Sequence, residues 1–369
     1  MNYIIPFVIL ITIVVFIHEY GHYYFARRYG VAVTDFSIGF GKEIFGFNDR
    51  NGTRWKFCLI PLGGYVKFFG DRNVFSQSEQ KEILKKYNKT DQQKLFVTKP
   101  IYQRALIVAG GPLANFLLAI VIFSCIYMFV GKDFTPAKIE EVITESPAEK
   151  AGLKKNDIII GINNNKIESI LEVSMFINTT SADKINIKVL RNQRELLLVA
   201  EPNVIESKDA FGNPIKKKMI GIKIGPASDG FNKEKLGPVK AIYYSIKEIW
   251  FVTKTTMQFI GSLFQGKGDT SQLGGPIKIA KISGQVMEFG ILAFLSTVAY
   301  ISISLGLINL FPIPLLDGGH LMFYLLEKIL GRPLKQATQE GFFRIGLFLL
   351  LSLMFFTTFN DLKDWGLFQ

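Results

Sequence analysis

Two histidines and a glutamate close an apolar run near the start of the chain, in the stretch FIHEYGHY from Phe16 to Tyr23. On a helix His18 and His22 stand four positions apart and project from one face, so both imidazoles can reach one metal ion. Glu19, beside them, is then placed to take a proton from a water that the metal polarises. The metal that suits this chemistry is zinc, which in catalytic sites keeps three protein ligands and one open position. Few groups can supply the third ligand. His320 is the remaining histidine of three, and few carboxylates lie in apolar segments. Asp317, flanked by glycine in LLDGGHL, can turn its carboxylate into a cavity; His320, three residues later, is the alternative. If no metal bound, the two imidazoles and the carboxylate would carry a desolvation cost with nothing to offset it.

The elements that must position these groups are membrane helices. Residues 4 to 17 contain no charge. At about 1.5 Å of rise per residue, His18 lies roughly 21 Å beyond Ile4, inside a hydrocarbon core of about 30 Å. Ionisable groups at that depth are expensive, and their default reading is functional. Composition agrees: 49% of the residues are hydrophobic and phenylalanine alone occurs 33 times in 369. The net charge of +12 suits cytoplasmic loops facing anionic lipid, and no nucleic-acid-binding motif accompanies it. Cys58 and Cys125 lie far apart, so neither a disulfide framework nor a cysteine zinc site is expected. No basic stretch precedes the first apolar run and no small-residue cleavage pattern follows it, so this span should persist as an anchor. Further spans are expected over Ile101 to Val130, from Ile291 into a break at 309 to 321 that Pro312 and Pro314 impose, and over Ile345 to Phe359.

Between the spans the chain changes character. RWKFCLIPLGGYVKFFG, 54 to 70, reads as a β-hairpin of two short strands broken at Pro61, Gly63 and Gly64. It is either a surface loop or a strand-bearing loop that dips toward the metal and pairs with an extended substrate. Residues 72 to 99 form a polar insertion, helical in part, and 331 to 344 a loop; the excess of Lys and Arg after the first span places both in the cytoplasm. Residues 135 to 225 alternate in the manner of a small α+β domain, with a capped helix after Ser146, a strand near 157 to 162 and a hairpin turning at Arg191 to Gln193. Residues 235 to 265 place Ile242, Ile246, Trp250, Met257 and Phe264 at helical spacing, as an interfacial helix would. Three regions result: 1–134, 135–225 and 226–369.

Taken together, HEYGH, GGYVKF, GGPLANF and NLFPIPLLDGG, with SIGFG and LGGPIKIAK, resemble in type and order the site-2 protease family of intramembrane zinc metalloproteases, in its bacterial regulator-of-sigma-E protease branch. The resemblance implies a multi-pass α-helical membrane protein of about four transmembrane helices, with an intramembrane zinc site, a membrane-associated β-hairpin and an inserted PDZ-like domain. It implies that His18, His22 and Asp317 bind zinc and that Glu19 is the catalytic glutamate. Asn309 matches an asparagine that holds substrate, and Gly63, Gly64, Tyr65 and Val66 fall in the membrane-reentrant β-loop. AEKAGL and NDIIIGINNNKI resemble the start of a single PDZ domain, where some members carry two. The implied activity is cleavage within the transmembrane segment of single-pass proteins, such as anti-sigma factors or remnant signal peptides, already trimmed by a site-1-type protease. The implied place is the bacterial inner membrane with the PDZ-like domain on the periplasmic face, the lipid bilayer a partner and nucleic acid not. Two rivals are a catalytically inactive PDZ-bearing scaffold with structural zinc, which needs a fourth ligand, and a metal transporter, which the absence of an inverted repeat disfavours.

Overall fold

Long apolar runs become long helices, and the stretches between them become paired strands and further helices. The computed structural model describes the chain except residues 1–2, 71–86, 181, 209–213, 228–229, 231, 267–269, 271–272 and 365–369. In chain order come α1 (Ile4–Arg28), β1 (Val33–Asn48), β2 (Arg54–Phe68), the short α2 (Lys89–Gln92) and α3 (Ile101–Phe129). There follow β3 (Lys132–Asp133), β4 (Ala137–Val142), α4 (Pro147–Lys150), β5 (Ile158–Ile162), β6 (Asn165–Lys166), α5 (Ile170–Thr179), β7 (Ile185–Arg191) and β8 (Arg194–Ala200). β9 (Asn203–Lys208), β10 (Pro214–Met219), β11 (Ile222–Pro226) and β12 (Lys233–Glu234) lead to α6 (Pro238–Phe264), α7 (Pro276–Glu288), α8 (Ile291–Asn309), α9 (Asp317–Leu330) and α10 (Gln336–Asp364). Among the described residues four stretches are long and apolar enough to cross a membrane: Ile4–Arg28, Ile101–Phe129, Ile291–Asn309 and Ala337–Lys363. The last corrects the sequence reading. Helix α10 begins at Gln336, so residues 336 to 344 extend the fourth helix and do not form a loop. The polar QATQE start hides that turn from an apolar count. Most of the 72 to 99 insertion lies outside the described residues.

The chain divides into two compact units, Met1–Ile122 with Gly274–Leu362, and Phe123–Leu273 with Lys363–Gln369. In the first, β1 and β2 pair antiparallel, and this also differs from expectation. The segment 54 to 68 is one strand whose partner is the upstream 33 to 48, and the turn between them falls at 49 to 53. Asp49 builds that turn by accepting from the backbone of Asn51 and Thr53, and it receives the hydroxyl of Tyr23 from α1 at 2.9 Å. Between its two runs, where Gly63 stands at φ 109°, β2 changes direction, as the break at Pro61, Gly63 and Gly64 leads one to expect. The two runs do not pair with each other: residues 35 to 38 lie between them, pairing with 54 to 57 in rising order on one side and with 64 to 67 in falling order on the other. The sequence reading missed this upstream partner although Phe36, Ile38 and Phe40 alternate with Asp35, Ser37 and Gly39, a period-2 strand signal. Around it Tyr23, Phe36, Ile107, Val108 and Tyr324 form a buried cluster.

Helix α8 stops at Asn309 because Pro312 and Pro314 cannot donate to continue it. The chain restarts as α9 at Asp317, after Leu315 at φ 84°. Gly318 and Gly319 permit this, since a Cβ on either would fall on the carbonyl oxygens of residues 310 to 313.

The second unit is organised by alternation. Its sheet runs β11-β4-β5-β7-β8, with β6 on β5, and buries Ile139, Ile159, Ile185, Ile187 and Val189 with Val173 and Ile177 of α5. Ser146 caps α4, and Asn192 and Gln193, both at positive φ, make the β7–β8 turn. β9 pairs β10, and β12 pairs β3. Within the unit, Ser245 of α6 meets Ser124 at the end of α3, 3.0 Å between hydroxyls.

Candidate metal centre

The site starts from glycine. Helices α1 and α3 touch backbone to backbone at Gly21 and Gly110; a Cβ on Gly110 would come within 2.6 Å of the Gly21 carbonyl oxygen. Small residues allow such contact between membrane helices. One residue on, Gly111 faces the imidazoles, and a Cβ there would fall on His22 Nε2 and 2.7 Å from His18 Cε1. The close approach also gives His22 a hydrogen-bond partner. Its Nδ1 lies 2.9 Å from the Ile107 carbonyl oxygen, which can only accept, so Nδ1 carries the proton and Nε2 presents its lone pair. His18 and His22 then face one another with their Nε2 atoms 3.2 Å apart.

Asp317, at the start of α9, closes the triangle. Its Oδ2 is 3.2 Å from His18 Nε2 and 3.5 Å from His22 Nε2. These separations fit a tetrahedral zinc, because ligand bonds of about 2.0–2.1 Å put neighbouring donors about 3.3–3.4 Å apart. A second observation agrees. Asp317 Oδ2 is buried and makes no hydrogen bond of acceptable geometry despite the nearby nitrogens, as expected of a lone pair aimed at a shared centre. Among the described residues His18, His22 and Asp317 are the group of donors able to hold a metal ion. His320, the alternative third ligand, instead packs its ring against Phe323 and Phe343, with centroids 6.4 and 5.6 Å away.

The structure brings some of the remaining expected residues to this centre and leaves others apart. Gly64 of β2 lies beside Glu19: a Cβ on it would sit 3.0 Å from Glu19 Cγ and 2.6 Å from the Ser37 carbonyl oxygen. Strand β2 thus passes against the Glu19 side chain, and only glycine allows it so close. Tyr65 stacks on Phe40, 6.2 Å between centroids, while Val66 packs into the Phe36 cluster. Asn309 is the half-buried last residue of α8, and among the described residues no hydrogen bond joins its side chain to the three donors.

Other side chains hold the carrier helices. Arg104 of α3 meets Glu327 of α9 in a two-pronged ion pair, at 2.6 and 3.2 Å, and its guanidinium lies 4.9 Å over the Tyr324 ring. Ser302 of α8 donates to the Asn115 carbonyl oxygen at 2.9 Å. The sequence reading used Gly110 and Gly111 only for packing and Asn115 only as a helix-crossing group. What it missed is that Gly111 and Asn115, four apart on α3, share the face turned to the histidines.

The chain has extensive kinship. The model of peptidase family M50 matches residues 6–353. A relative from Agrobacterium fabrum, named "Putative zinc metalloprotease Atu1380", is 41% identical over 363 residues, covering 98% of this chain and 96% of its own. One from Mesorhizobium japonicum with the same kind of name is 40% identical over 367 residues, 97% of this chain and 98% of its own. "Metalloprotease MmpA" of Caulobacter vibrioides is 33% identical over 387 residues, 99% of this chain and 96% of its own. With a family match over nearly its whole length and these relatives, the chain belongs to peptidase family M50, the site-2 proteases, and is a membrane-embedded zinc metalloprotease.

Proposed function

We propose that this protease cuts a peptide bond inside the transmembrane segment of single-pass membrane proteins, after a site-1-type protease has removed their outer portion. The observation that carries the reading is the convergence of His18, His22 and Asp317 on one point between helices of membrane-spanning length, with Glu19 and an edge strand beside it. When bound there, zinc lowers the pKa of a water and polarises the scissile carbonyl. Glu19 takes the proton at its carboxylate as the water attacks and returns it to the departing amide nitrogen. His22, fixed by the Ile107 carbonyl, keeps its Nε2 lone pair inward throughout. Asn309 is proposed as a donor that steadies the substrate near the metal.

A peptide bond in a helix is shielded by its own hydrogen bonds, so the substrate must be unwound before attack. Strand β2 supports that step. Residues 64 to 67 pair with 35 to 38 along one edge, and among the described residues no strand pairs with the other. We assign Gly63, Gly64, Tyr65 and Val66 to holding the extended substrate by strand addition next to Glu19. Residues 135–225 are proposed as a single PDZ-like domain on the periplasmic face of the inner membrane, excluding substrates with bulky outer portions. Nucleic acid has no part in this scheme.

The test is to incubate the detergent-purified full chain with a trimmed single-pass substrate and locate the cut by mass spectrometry. The reading expects one or a few cuts within the apolar segment, abolished by a zinc chelator. Cuts confined to the polar flanks would overturn it.

A further inference from the structure

The two imidazoles are held in different ways, and the difference isolates one side chain. His22 leans on a backbone carbonyl that no substitution removes. His18 leans on Asn115, which is fully buried in α3 and places its amide nitrogen 3.2 Å from His18 Nδ1. In that orientation the amide donates to Nδ1, which would leave the proton on Nε2, the atom that faces His22 and Asp317. The Asn115 Oδ1 then has no partner. Both difficulties have one solution. The two ends of an amide are nearly equal in shape, so a half-turn brings Oδ1 to Nδ1 at the same distance and lets it accept the Nδ1 proton. The Nε2 lone pair is thereby freed for a metal, as in metal sites where the outer nitrogen of a ligating histidine donates to a fixed acceptor.

We propose that Asn115 is a positioning residue of the zinc centre, accepting the Nδ1 proton of His18 and fixing the tautomer and ring angle in which His18 binds metal. The proposal rests on the zinc-ligand reading above. The backbone around Asn115 is built to keep it in place. Its carbonyl accepts from Ser302, and Gly306 brings α8 so close that a Cβ there would lie 3.3 Å from Asn115 Cβ. Helix crossing at this point needs only the small residue and the backbone bond. The buried amide is an added polar group whose described side-chain partner is His18.

The experiment compares full-length wild type with Asn115→Leu, Asn115→Asp and His18→Ala in detergent. It measures zinc affinity by chelator competition and the visible spectrum after cobalt substitution. Leucine keeps the volume and removes the acceptor, so zinc affinity should fall by about 10- to 100-fold and the cobalt bands should shift. Aspartate keeps an acceptor at the same place and should hold both properties near wild type. Equal losses in the leucine and aspartate variants, or wild-type affinity and spectrum with leucine, would overturn the proposal. If the leucine chain does not fold, Asn115→Ala takes its place against aspartate with the same expectations. His18→Ala separates the two claims: zinc retained without His18 overturns the ligand set itself, whereas zinc lost there but held by Asn115→Leu overturns only the role of Asn115.

Discussion

Asp157 and Asp317 are both withdrawn from solvent, one in each unit, and they are used in opposite ways. Asp157 is saturated: Arg191 donates to it from Nε at 2.6 Å and Nη2 at 2.7 Å, and the Lys154 backbone N–H at 2.9 Å. Asp317 has an oxygen that faces two imidazole nitrogens and bonds to neither. A buried carboxylate whose lone pairs are all engaged holds a fold together; one left unsatisfied, against the cost of burial, is kept for something that binds there. The same contrast runs through the surroundings. The sheet unit buries aliphatic side chains in regular alternation, whereas the helical unit is cut by glycines at 21, 64, 110, 111, 318 and 319, each where another group must come close.

The contrast is breakable by substitution, and the largest effect should come from Asp317→Ala. With two protein donors left, zinc content should fall far below one per chain by elemental analysis, and peptide cleavage should vanish with it. Glu19→Gln should part the two readouts, keeping zinc while cleavage of a transmembrane peptide falls by about 10²- to 10⁴-fold, the usual cost of a missing general base. Gly111→Ala presses a methyl group into clashing distance of His22 Nε2, and misplacing a site group by about 1 Å can cost about 10²-fold in rate. Steady-state cleavage of the same peptide measures it, and an unchanged rate would remove Gly111 from the site.

Asp157→Ala should do the reverse. Losing the partner of Arg191 should destabilise the sheet unit by about 3 kcal/mol, visible as a lower unfolding midpoint, with zinc content and cleavage of a short peptide unchanged. The smallest effect belongs to the exposed Glu141–Lys223 pair, 2.6 Å apart. Lys223→Ala should leave the unfolding midpoint where it was.

Much of this was legible in the sequence because the decisive signals are local. HEYGH places two imidazoles on one face by helical spacing alone, and the prolines at 312 and 314 announce the break after which Asp317 comes to them. Alternation gave the β7–β8 hairpin, with its turn at Asn192 and Gln193. What sequence could not supply depends on contacts between distant segments. The partner of β2 lies upstream in β1, whose residues 35 to 38 stand between its two runs, a pairing that no residue within 54 to 68 announces. The start of α10 at Gln336 is a polar turn of helix that apolar counting stops short of. The reach of Asn115 to His18 spans 97 positions and follows only from the Gly21–Gly110 contact.

The central claim is that a centre of two imidazoles and one carboxylate holds zinc with a position left over for water. X-ray absorption at the zinc edge reads this directly in the purified wild type. The account predicts two imidazoles and further oxygen scatterers, with all first-neighbour distances about 2.0–2.2 Å. A third imidazole, which only His320 could supply, or a sulfur neighbour would contradict it.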